Sequence, residues 1–239
     1  MGFFSKLFSK PEKVSVAGPQ RNHVVCDYYS VKGVNPDTNR RKTKTIVVES
    51  TSTNEEIQKK SGLLPPYEIE KLKQEAPTDR QIAYAEKLGI VFPADASASD
   101  ASVFLTRHED GVPLIQPPAS DMLVHYLIDK GIFVPTYAGI LEVSTLYLNN
   151  VSRNEKASFF CMRVLCSLKN KSYCLLEDAP LADRTLFFEF ANMYEADGDF
   201  LRSLLHYTAA DLPLNACLRL KKLKAYEMAV DFLKSRGAA

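Results

Sequence analysis

The residues of this chain best suited to chemistry are four histidines and five cysteines, and their spacing speaks against both catalysis and metal binding. His23, His108, His125 and His206 are scattered, none at ligand spacing from a second His, Cys or carboxylate. Cys26, Cys161, Cys166, Cys174 and Cys217 include no CxxC pair. An odd set without framework spacing fits reduced core thiols rather than disulfides or a zinc site. Three of these thiols lie in FFCMRVLCSLKNKSYCLL, five and eight residues apart, where a helix turns them to different sides. Asp197-Gly198-Asp199 would open a calcium loop only if oxygen ligands continued at alternate positions; Phe200 and Leu201 follow, so the triplet reads as a helix break with an N-cap. His108-Glu109-Asp110 is polar in sequence, but neighbours on a helix diverge. No P-loop, GxSxG, HExxH or dinucleotide fingerprint occurs. The expectation is a non-enzymatic protein with no catalytic residue, no cofactor and no metal.

One group of residues does suggest binding. Lys32, Arg40, Arg41, Lys42 and Lys44 fall on and around a predicted hairpin tip, and residues 1–75 hold thirteen basic against nine acidic side chains. A twisted β-ribbon with a basic tip can grip a phosphate backbone, with Tyr28 and Tyr29 as stacking faces for bases. The plainer reading of the same residues is a solvated strand end whose lysines protect an edge. Over the whole chain the net charge is +1 and the pI near 7.6, so no global field draws in nucleic acid or acidic lipid.

The elements that would carry these residues follow from periodicity. VVCDYYSVKGV and KTKTIVVE alternate around the turn cluster NPDT, which predicts a hairpin. Thr53 with Glu56 is a capping box opening a helix, and PPYEIEKL predicts a third strand, giving a ββαβ module. After Pro77 no further strand is predicted. Thr78 with Gln81 caps the next helix, Ser97–His108 is another, and EDGVPLIQPPAS is a Pro-rich connector. Helices are then expected at about 121–130, 136–149, 153–169, 180–196, 199–208 and 213–235. The predicted fold class is α+β: residues 1–22 an amphipathic tail and linker, 23–75 the ββαβ module, 76–119 a helix–extended–helix unit with connector, and 120–239 a mostly α-helical bundle. The aromatic residues Phe187, Phe188, Phe190, Tyr194 and Phe200 are expected in that bundle's core, and FEFANMYEADGDFLRSLLHY resembles a single tetratricopeptide-type hairpin.

QIAYAEKLGIVFP (81–93) is echoed by LVHYLIDKGIFVP (123–135). A helix commonly ends on a left-handed Gly, followed by an apolar residue that folds back on the last turn, with Pro beyond to prevent resumption. Gly89 with Ile90 on Tyr84, Gly131 with Ile132 on Tyr126, and Gly62 with Leu63 on Ile57 all fit, so helix-stop chemistry accounts for the echo without duplication. TDRQIAYAEKLGIVFP…ASDASVFLTRH also resembles the QxxYAxxLGI segments of uncharacterised bacterial and phage-associated proteins, and distantly the helix–extended–helix of SAP-type DNA-binding hairpins, over some thirty residues. The resemblance implies a bacterial or mobile-element origin and brings no functional residues with it. Residues 76–119 carry Arg80, Lys87 and Arg107 against six acidic side chains, the wrong sign for phosphate.

MGFFSKLFSK sets Phe3, Phe4, Leu7 and Phe8 against Lys6 and Lys10. Ten residues make a marginal helix and a weak membrane foot, so this stretch is expected to dock on protein rather than lipid. No stretch approaches the ~20 apolar residues of a membrane span, and the expected location is cytoplasmic. Two readings of function stand. One is an accessory binding protein touching nucleic acid through the hairpin; the other is a protein–protein adaptor whose helical domain meets a partner.

Overall fold

The computed structural model describes Val14–Ser15 and residues 20–171, 173–205, 207 and 221–239. The amphipathic stretch 1–10, His206, Cys217 and residues 213–220 of the expected last helix lie outside the described residues. The fold is α+β, and it divides into two compact units, Met1–Ile140 and Leu141–Ala239. No helix among the described residues is long and apolar enough to cross a membrane.

In the first unit β1 (Val14–Ser15) precedes β2 (Cys26–Val34) and β3 (Arg41–Glu49). The tip between β2 and β3 is closed by Asn35, whose Oδ1 accepts from the amides of Asp37 and Thr38, and by Asn39 in the left-handed region. Helix α1 (Asn54–Ser61) starts at the Thr53–Glu56 capping box, and β4 (Leu64–Leu72) returns to pair with β2, giving an antiparallel sheet of order β3-β2-β4. Opposed residues share a face, so Tyr29, Val31, Ile46, Val48 and Ile69 point to one side, where Ile57 of α1 and Leu63 complete a core. On the other side Tyr28 stacks on Phe133 at 4.6 Å and Cys26 Sγ bonds to the backbone of Val134.

Helix α2 (Asp79–Leu88) starts at the Thr78–Gln81 capping box and ends on Gly89 (φ 73°). The extended GIVFP that follows contains β5 (Ile90–Val91), which pairs in parallel with β1. A short strand therefore does occur beyond Pro77, and the stretch expected to be a linker supplies its partner. No local alternation marks either, because two residues are too few to show a period. Helices α3 (Ala98–Glu109) and α4 (Asp121–Asp129) complete the unit. After α4, Gly131 (φ 76°) donates to Ile128 O and Ile132 N donates to Leu127 O, which is the paired helix-stop hydrogen bonding expected of the echo. The two copies then diverge: 90–91 form a strand, whereas 132–135 run beside β2. Ile90 packs with Ala85 rather than on Tyr84, which is exposed.

Residues 120–140, expected to open the helical bundle, fall within the first of the two compact units. α4 packs on β3, with His125 3.7 Å from Glu49 and Lys60 bonded to Ile128 O. The helix expected from 136 starts only at Ile140, because the preceding residues are held elsewhere: Tyr137 N donates to Asp100 Oδ1, and Gly139 forms a bridge with Pro118.

The second unit contains α5 (Ile140–Asn150, its first residue in the first unit), α6 (Arg153–Lys169), α7 (Leu181–Met193), α8 (Gly198–Leu205) and α9 (Lys224–Ser235). α6 packs along α7, and α9 lies on α6 and α8. Phe190 is the hub of an aromatic core, with Tyr194, Phe200 and Phe232 rings at 4.9–5.3 Å. Phe187, Phe190 and Phe200 are buried as expected, while Phe188 is exposed.

Candidate functional site

The hairpin's five cations do not form one patch. Strand alternation sends Lys32 and Arg41 to one face and Lys42 and Lys44 to the other, with Arg40 at the turn. On the first face β4 brings Glu68 between Lys32 (3.1 Å) and Arg41 (3.0 Å). Hydrogen bonding from Lys32, then its charge and Arg41, holds Glu68 below the usual carboxylate range. On the second face Lys44 Nζ donates to Ser61 O at 2.7 Å, where a cation meets the carbonyl end of α1. Arg40 and Lys42 are exposed and have no ion pair among the described residues. The stacking faces are occupied too: Tyr28 by Phe133, and Tyr29 packed against the α1-side core. Lys32–Glu68 spans 36 residues, so sequence reasoning confined to the hairpin could not see the neutralising partner.

Burial pushes the Cys26 thiol up to about 11 and raises Cys161 and Cys166 as well, leaving them protonated near neutrality. Cys174 is exposed. Asp197 Oδ1 accepts from the amides of Asp199 and Phe200, the N-cap expected at that triplet, and Asp199 binds Lys224 at 2.6 Å. His23 and His125 meet Asp121 and Glu49 on exposed surface. No group of three metal-ligating side chains occurs among the described residues.

A buried polar knot ties the first unit together. Asp100 accepts from Ser97 N, Ser97 Oγ and Tyr137 N. The buried Arg107 guanidinium donates to Leu114 O and Tyr137 O. Asn22 bonds to the backbone of Thr136, Ala138 and Ala119. These groups hold main chain and so position loops.

An apolar groove of about 760 Å³ lies between α2 and β5. Ala85 and Leu88 turn α2 toward the core shared with Phe104 and Tyr137. Ile82 faces the groove instead, 42% exposed, with Glu86 one turn on. Across from it stand Val91, 46% exposed, Phe92 and Pro93. Two aliphatic side chains thus face one concavity that is lined mainly by carbon, with Glu86 and Lys87 as its charged members. The groove lies within the echoed stretch itself, where its sequence signal is faint: Ile82 is one apolar residue more than a core-facing stripe needs. No protein-family model matches the chain, and neither does any curated protein or solved structure.

Proposed function

We propose that this chain is a non-enzymatic adaptor that binds an apolar peptide segment of a protein partner in the α2–β5 groove. The observation that carries this reading is the exposure of Ile82 and Val91 across a concavity of about 760 Å³ whose floor is backed by the core around Phe104. Nucleic-acid binding through the hairpin is the weaker reading. Three of its five cations are engaged within the protein and both tyrosines are packed.

Selection from a displayed peptide library tests the proposal. Binders enriched in apolar residues are expected, with affinity reduced at least about tenfold by Ile82→Asp and unchanged by Lys42→Glu; a buried aliphatic contact is worth about 1.5–3 kcal/mol, enough for that loss. Salt titration with generic DNA and RNA is the counter-test. Two unpaired cations give a slope of log K against log salt no steeper than about −2. Steeper binding that Arg40→Ala and Lys42→Ala flatten, with no Ile82-dependent peptide, would overturn the adaptor reading.

A further inference from the structure

We infer that the groove's occupant in the free protein is the chain's own N-terminal segment, MGFFSKLFSK, held in cis. This rests on the reading of the groove as a peptide site. The observation that points to this occupant is the β1–β5 pairing. Val14 lies opposite Ile90 and Ser15 opposite Val91, in parallel. The chain therefore enters β1 at the Ile90 end, beside Gly89 and the last turn of α2, the helix that forms one wall of the groove.

What precedes Val14 suits that wall. Phe3, Phe4, Leu7 and Phe8 recur at the spacing of one helical face. Five residues separate Phe8 from Val14, a tether of six Cα steps and up to about 20 Å when extended, while the ten-residue α2 is only about 15 Å long. All four apolar residues can thus reach the groove without strain on the β1–β5 pairing. Residues 1–13 carry Lys6, Lys10 and Lys13 against Glu12, while the stretch 76–119 is net negative; at the groove itself Glu86 and Lys87 balance each other. A tether this short supplies an effective concentration in the millimolar range, so even a weak intrinsic affinity keeps the segment docked. A partner peptide must displace it, and the N-terminus becomes a built-in competitor that sets the affinity threshold.

Two measurements on the full chain test this. With a photo-crosslinking residue at Leu7, irradiation is expected to give a concentration-independent intramolecular adduct that mass spectrometry maps to the peptide containing Ile82, Glu86 or Val91. In Phe4→Asp/Phe8→Asp, library peptides that bind the groove are expected to bind at least about tenfold more tightly than to the unaltered chain, the relief of a millimolar competitor. An adduct elsewhere, between chains, or only to lipid when anionic vesicles are added, together with unchanged peptide affinity, overturns the inference. Ile82-dependent peptide binding would in that case survive and leave the groove reading standing. Loss of Ile82-dependent binding in both variants would overturn the groove reading as well.

Discussion

At the residue scale, the polar side chains of the first unit act through what they hold. Tyr137 illustrates the point: its hydroxyl donates to Asp95 at 2.6 Å, its amide to Asp100, and its carbonyl accepts from Arg107. Burial first, then the bond to Asp95, pushes the phenol up to about 12. The same bond, ahead of the Arg21 charge, holds the Asp95 carboxyl below its ordinary range. A tyrosine whose pKa is raised in the folded state contributes stability that is complete below the unfolded value near 10 and is lost as pH rises toward 12. The unfolding midpoint in urea should therefore fall between pH 10 and 12 by more in the unaltered protein than in Tyr137→Phe. The variant should start about 1 kcal/mol less stable at neutral pH for want of one hydrogen bond, with the Asp95 carboxyl titrating higher by NMR. Parallel pH profiles for the two proteins would contradict this account. Nothing near Tyr137 in the sequence announces the role, since Asp95, Asp100 and Arg107 lie 42, 37 and 30 residues away.

At the element scale, local chemistry is legible in the sequence and pairing is not. The capping boxes at Thr53, Thr78, Ser97 and Ser152 form as their spacing requires, because each needs only four residues. The β2–β3 hairpin and the return of β4 follow from alternation. β1–β5 and the Glu68 clamp on Lys32 and Arg41 depend on residues distant in the chain, and short-range periodicity is blind to them. Two glycines separate the local from the non-local demand. Gly131 ends α4 at φ 76°, and a Cβ there would meet nothing within 4 Å, so Gly131→Ala should cost about 1 kcal/mol in backbone strain alone. Gly33 sits at the β2–β4 register shift, and a Cβ there would meet Leu63 Cβ and Leu64 O at 2.8 Å. Gly33→Ala should therefore be the more damaging change, by about 1–3 kcal/mol of overpacking, and should loosen β4 as read by hydrogen exchange. Equal losses in denaturant unfolding would show that the close approach of β4 to Gly33 is not a constraint.

At the scale of the whole molecule, composition and the change from strands to helices are the sequence's signals of where one unit ends; they point to 119/120, whereas the compact units divide at 140/141. Helix α4 is strongly apolar, with Leu123, Val124, Leu127 and Ile128 buried, and by pattern it could as well open the bundle. What assigns it to the first unit is its packing on β3, together with the extended stretch behind it: Phe133 on Tyr28, Val134 on Cys26, Thr136 and Ala138 on Asn22, and Gly139 on Pro118. Removing residues 120–140 would expose Cys26 and take from Asn22, Asp100 and Arg107 part of their main-chain partners, leaving buried polar atoms unpaired at roughly 1–3 kcal/mol each. Since a domain of this size is stable by only about 5–15 kcal/mol, three or four such losses remove most of the margin. A fragment ending at Ile140 should accordingly unfold in one cooperative thermal transition, while a fragment ending at Ala119 should show no cooperative transition and should bind a hydrophobic dye. Cooperative unfolding of the shorter fragment would mean that the sheet and α1–α3 hold together without α4 and its extended tail, and the boundary would return to the Pro-rich connector.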